Sequence, residues 1–68
     1  MKVVDARGLS CPQPVIQARK AIDAAEFPIQ VIVDTATARE NVQRMVLKAG
    51  FKVTVEDEGD TARLTITR

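Results

Sequence analysis

Apolar and polar residues along the chain follow two different periods, and the switches between them mark out the elements. Lys2 to Ala6 holds the β-branched pair Val3 and Val4, with Asp5 near its end, and predicts a short first strand. From about Pro12 to Ala25, Val15, Ala18, Ile22 and Ala25 recur at i, i+3, i+7 and i+10. That spacing predicts a helix with one apolar stripe, widened by Ile16 and Ala21. Pro28 ends it by pushing Phe27 toward extended geometry. Ile29 to Asp34 is nearly continuously apolar, which predicts a well-covered strand rather than an edge. Thr37-Ala38-Arg39-Glu40 has the form of a capping box and predicts the start of a second helix. Ala38, Val42, Met45, Val46 and Ala49 share its inner face, and Gly50 suits the position after its end. Phe51 to Glu56 then alternates, with Phe51, Val53 and Val55 facing in. Asp57 to Thr61 reads as a turn, and Ala62, Leu64 and Ile66 face in again.

The order is β-α-β-α-β-β. The closing hairpin has a polar face, so one side of the sheet is expected to meet solvent. The predicted fold is an α/β (α+β) two-layer sandwich, with two helices packed on one face of a four-stranded mixed sheet. The 68 residues suffice for a single domain, 1–68.

Composition narrows the chemistry. Histidine is absent and there is one cysteine, which removes Cys–His catalytic pairs, Cys/His zinc sites and Ser-His-Asp triads. One cysteine makes no internal disulfide, so a reducing compartment fits. No apolar run is long enough for a membrane span, and the N-terminus has no signal-peptide pattern. The expectation is a cytoplasmic protein with no metal, no cofactor and no membrane insertion. Ten basic residues against nine acidic ones, with no Trp or Tyr, argue against direct nucleic-acid binding. Arg39, Arg44, Lys48 and Lys52 form a mild basic cluster that reads by default as a solvated face.

The candidate chemistry lies in Arg7-Gly8-Leu9-Ser10-Cys11-Pro12-Gln13-Pro14-Val15. A lone cysteine in a small domain reads by default as an inert, buried hydrophobe. Here turn and helix-start residues surround it instead. Pro12 suits the first turn of a helix, which places Cys11 near the N-cap, where a thiolate gains most from the helix dipole. With Cys11 as N-cap, Pro12 and Pro14 remove two first-turn donors, and Gln13 and Val15 supply the free amides. Arg7 is the nearest candidate for a supporting positive charge. A solitary activated thiol with no base and no second cysteine suits a carrier better than a turnover enzyme. Redox sensors often have a resolving cysteine, and this chain has none.

Asp5-Ala6-Arg7-Gly8-Leu9-Ser10-Cys11-Pro12-Gln13-Pro14-Val15, together with Arg19-Lys20-Ala21-Ile22 further on, resembles the signature of the TusA/SirA-like sulfur-carrier family. The resemblance extends over nearly the whole chain. Arg39 to Met45 looks closer to the YedF-like branch. The resemblance implies that Cys11 carries a persulfide and that Gly8, Pro12 and Pro14 shape the motif. It sets Arg7 and Asp34 near the cysteine, and makes Arg19 and Lys20 partner contacts. It implies a cysteine desulfurase or other sulfur donor, an acceptor sulfurtransferase, and tRNA thiolation or related sulfur or selenium metabolism. TusA proteins often have an acid where this chain has Gln13, and another where it has Thr35, so partner choice is expected to differ there. The alternative reading is a non-catalytic regulatory or interaction module of the same fold.

Overall fold

The computed structural model describes residues 2–9 and 13–68. Its elements are β1 (Lys2–Asp5), α1 (Gln13–Asp23), β2 (Ile29–Val33), α2 (Ala36–Lys48), β3 (Lys52–Glu58) and β4 (Thr61–Thr67). The strands form one mixed sheet in the order β1-β2-β4-β3. β1 runs parallel to β2, whereas β4 runs antiparallel to both β2 and β3. β3 therefore runs parallel to β2 but does not touch it. The hairpin returns β4 into the gap between them.

The two helices touch each other and pack on one face of the sheet. Val4, Ile29, Val31, Val33, Leu64 and Ile66 point into that layer from the strands. Ala18, Ala21, Ile22, Ala38, Val42 and Val46 meet them from the helices. The bulkiest of these are branched aliphatics, so the core gains its energy from methyl packing; Leu64→Ala would cost roughly 2–5 kcal/mol. Phe27 and Phe51 close one end of the core, their ring centroids 5.0 Å apart. Arg68 lies 4.9 Å above the Phe27 ring. The other sheet face carries Gln30, Thr54, Glu56, Arg63 and Thr65, and is the more exposed side.

The inward positions expected in β3 and β4 are observed, and β2 lies between two neighbours as its apolar run requires. Several boundaries differ from expectation. The buried stripe of α1 begins at Pro14 and continues through Ala18, Ala21 and Ile22, while Ile16 is 39% exposed and Ala25 lies outside the helix. The N-cap of α2 is Thr35, not Thr37. Its hydroxyl oxygen accepts from the Ala38 amide at 3.0 Å, so the box with Glu40 does not form. Asp57 and Glu58 extend β3, and only Gly59 and Asp60 form the turn. Gly59, at φ 72°, has the positive φ that the first position of a tight two-residue hairpin turn demands.

Both helices end in the same motif. After α2, the Gly50 amide donates to Leu47 and the Phe51 amide to Val46, with Gly50 at φ 89°. After α1, the Ala25 amide donates to Ile22 and the Glu26 amide to Ala21. Here the left-handed position holds an alanine, Ala25, at φ 55°. Its Cβ crowds the backbone in that region, at a cost of about 1–2 kcal/mol. Glycine would avoid that cost but lose more entropy on folding. Ala25→Gly is therefore expected to raise stability by roughly 0.5–1 kcal/mol, a few degrees in Tm by calorimetry. An unchanged or lower Tm would mean the left-handed turn is not strained.

Candidate functional site

The carboxyl ends of the three mutually parallel strands, β1, β2 and β3, lie along one end of the sheet. The β1–α1 loop, the β2–α2 junction and the β3–β4 turn therefore gather there, together with the start of α2. In open α/β sheets this is the end where ligands bind. Cys11 lies in the β1–α1 segment. Cys11 and Pro12, with Ser10, fall outside the described residues, so the expected N-cap role of Cys11 and N1 role of Pro12 are not part of what the structure describes.

The chain on either side of that segment is held by specific contacts. The Ala6 amide donates to the Ile32 carbonyl at 2.8 Å, carrying the β1–β2 pairing one step past the strand. The chain then turns. The Leu9 amide points back to the Ala6 carbonyl at 3.4 Å, and Gly8 has φ 76°. A side chain at Gly8 would be strained by that φ even though the space around it is open. The Gly8 amide donates to Asp34 Oδ2 at 2.9 Å, which joins the loop to the end of β2 across 26 residues of sequence.

Asp5 and Arg7 make a second contact. Arg7 Nε donates to Asp5 Oδ1 at 2.9 Å and Nη2 to Oδ2 at 2.7 Å, a two-pronged pairing. The Arg7 amide also donates to Oδ1, at 3.1 Å. These side-chain and backbone hydrogen bonds lower the Asp5 pKa from 3.8 to about 2. The Arg7 pKa is raised, first by its bond to Asp5 and then by the charges of Asp5 and Asp34. Both side chains are about half exposed, so water weakens the pair and it acts as a loop brace rather than a large source of stability.

Beyond the segment, α1 opens with Gln13 exposed and Pro14 fully buried. The pyrrolidine ring thus anchors the first turn in the core. No acidic residue lies in that turn to offset the positive end of the helix. Leu9, at 36%, and Ile16, at 39% exposed, place apolar side chains on the surface on either side of the motif. Further along α1, Arg19 pairs with Asp23 at 3.2 Å across one turn. Lys20 lines a groove between α1 and the free edge of β1, beside Gln17 and Glu26.

The expected residues thus divide into two groups. Arg7, Gly8 and Asp34 come together, whereas Arg19 and Lys20 lie along the exposed side of α1. Asp5 was not among the expected site residues. Its signal was the Asp5-x-Arg7 spacing, which lets the two side chains meet across a turn. Pro14 was expected to shape the helix start. Its burial follows from the spacing to Ala18, Ala21 and Ile22, at i+4, i+7 and i+8.

A shallow depression adjoins Asp34 and is bordered by Thr35, Arg39, Asp57, Asp60 and Thr61. Arg39 Nη1 bonds Asp57 Oδ1 at 2.8 Å, which neutralises the first member of the mild basic cluster. Among the described residues, no three His, Cys, Asp or Glu side chains gather so as to hold a metal ion. Among the same residues, no helix is long and apolar enough to cross a membrane.

Comparison with known proteins agrees with this geometry. The family model for the sulfurtransferase TusA matches residues 2–68. A provisionally assigned sulfur carrier protein of Archaeoglobus fulgidus is 40% identical over 52 residues, covering 74% of this chain and 68% of its own length. A second such protein, from Methanocaldococcus jannaschii, is 30% identical over 63 residues, covering 90% of this chain and 84% of its own length. The crystal structure of a SirA-like protein from Desulfitobacterium hafniense superposes with a TM-score of 0.87 at 33% identity, covering 97% of this chain and 95% of that one.

The loop contacts give two expectations. The Asp5 carboxyl should titrate near pH 2 by carbon-detected NMR, and Arg7→Ala should return its midpoint toward 3.8. Because the folded value is the lower one, the brace contributes fully above about pH 4 and is lost as pH falls through 2. A midpoint near 4 in the unaltered protein would mean the pair does not persist in solution. Asp34→Ala should also speed hydrogen exchange of the Gly8 amide by about tenfold, since a charged acceptor is lost. Unchanged exchange would show that Asp34 does not hold the loop.

Proposed function

The chain belongs to the TusA family and is a sulfur carrier, and from that premise we propose that Cys11 takes up sulfur as a persulfide and hands it to an acceptor protein. The Cys11 thiolate attacks the terminal sulfur of a donor persulfide. A new S–S bond forms on Cys11, the donor's S–S bond breaks, and the donor leaves as its thiolate. Transfer to the acceptor repeats the exchange, with Cys11 now the leaving thiolate. No net oxidant is needed.

The observation that supports this most is how the motif is bracketed. Asp34 and the Asp5–Arg7 pair hold the loop before Cys11. Buried Pro14 holds the helix just after it. The described residues on both sides of the motif are thus tied to the body of the fold. The unopposed positive end of α1 favours its anionic form. Arg7 supplies little further charge, because Asp5 already takes both of its prongs. Gln13 lies at the rim beside Leu9 and Ile16. Arg19 and Lys20 extend that rim along α1 as partner contacts. A cysteine desulfurase is the proposed donor and a sulfurtransferase the acceptor, in a reducing cytoplasm. Thiolation of tRNA is one destination. The YedF-like segment Arg39 to Met45 makes selenium an alternative cargo.

The test is mass spectrometry after incubation with a cysteine desulfurase and cysteine. One sulfur atom should be added at Cys11, removable by a thiol reductant and absent from Cys11→Ser. No adduct with several desulfurases, or an undiminished adduct in Cys11→Ser, would sink the proposal. Full cellular activity of Cys11→Ser would favour the interaction-module reading instead.

A further inference from the structure

The sheet order leaves two free edges, and they differ in kind. β1 offers four residues, and α1 borders it along a groove. β3 offers seven, Lys-Val-Thr-Val-Glu-Asp-Glu, with no proline and three β-branched residues in succession. A row of unpaired amides and carbonyls of that length is a template for another strand. Val53 and Val55 on this edge are only partly buried against the core. Charged residues along an edge ordinarily keep other strands away. Here they are sorted, with the base at one end and the acids at the other.

We propose that β3 pairs antiparallel with the β3 of a second copy, with Thr54 opposite Thr54, to give a continuous eight-stranded sheet. Side chains directly opposite one another must lie on the same face, which restricts the registers. With Thr54 at the centre, Lys52 of each copy faces Glu56 of the other on the open side. Val53 faces Val55 twice on the helix side, completing the burial of both. Moving the centre to Val55 sets Val53 against Asp57. A centre at Glu56 sets that acid against itself. Only the Thr54 register pairs opposite charges and matched apolar residues together.

The ion pairs within the chain select the same two residues. Asp57 is held by Arg39 and Glu58 by Arg63. Arg63 sits opposite Glu56 in the β3–β4 register, yet its ion pair is with Glu58. Of the four charged residues of β3, Lys52 and Glu56 are the two without an ion pair, and they are the charges that this register joins. β1 lies at the far edge of the sheet, so pairing through β3 leaves the β1–α1 loop of both copies open.

Sedimentation equilibrium of the full chain tests this. A concentration-dependent dimer is expected. Lys52→Glu and Glu56→Lys should each lower its association constant by about tenfold, since each change creates two like-charge contacts. The double variant should restore it to within about threefold. In a Cys11→Ser background, Thr54→Cys should form a disulfide-linked dimer with diamide, and Lys52→Cys should not. The cross-linking stands as a separate readout if a charge variant fails to fold. A monomer up to about 1 mM, a dimer indifferent to the single reversals, or a double variant that stays weak would each overturn the proposal, as would cross-linking through Lys52→Cys in place of Thr54→Cys.

Discussion

Parallel neighbouring strands cannot be joined by a tight turn, and the arrangement of this molecule is a consequence of that constraint. β1 and β2 are parallel and adjacent, so the chain between them must cross the sheet. The crossing element is α1, and it has to begin beyond the carboxyl end of β1. The Cys-Pro-Gln-Pro motif occupies that point in the sequence. The second crossing, through α2, also begins at a carboxyl end, which sets Asp34 and Thr35 beside the first loop. The Gly8–Asp34 hydrogen bond results from the placement of the two crossings, although its residues are far apart in sequence.

Regular alternation was the most legible part of the chain. From Phe51 to Ile66 every expected inward position points inward, because a period of two with β-branched residues has one reading on a half-buried sheet. Helix starts were harder to place. Thr35 and Thr37 are both competent N-caps, and the capping-box match at Glu40 favoured Thr37. Backbone geometry decided for Thr35, whose extended φ and ψ let the chain leave β2 and enter the helix two residues sooner. Asp57 and Glu58 read as turn residues because they are acidic, yet an edge strand with an open face accepts acids readily. Ala25 gave no sign of its left-handed conformation, since alanine is the best helix former. Strand order was not legible at all. Nothing local to the hairpin says that β4 returns between β2 and β3 instead of outside them.

The site shows the same division. The turn at Gly8 and a helix that includes Pro14 in its first turn were readable, because glycine and proline restrict the backbone directly. Convergence of Arg7 and Asp34 on one loop came from the family resemblance, and both side chains do reach it. Sequence could not show how their charges are used. Arg7 commits its two prongs to Asp5, and Asp34 commits an oxygen to a backbone amide. Both residues brace the backbone. In the proposed carrier, stabilisation of a thiolate then falls to the end of α1 and its few free amides. Such a field is fixed in direction and modest in strength, which suits a sulfur that must be released again.

Small size makes the separation of tasks across the sheet necessary. A chain of 68 residues buries only about three-fifths of the surface its unfolded form exposes, so its margin of stability is small. The two longest strands, β3 and β4, pair along their full length, and β4 contributes Leu64 and Ile66 to the centre of the core. The motif lies at the other side, where β1 pairs through only four residues and the loop after it is held by Asp34 and the Asp5–Arg7 pair. A partner that reshapes the β1–α1 loop therefore works against a few discrete contacts rather than against the core. Local opening there costs less than global unfolding. A second copy joined at β3 would add burial at the edge already most extended, and would leave the loop as free to meet a donor as it is in a single chain.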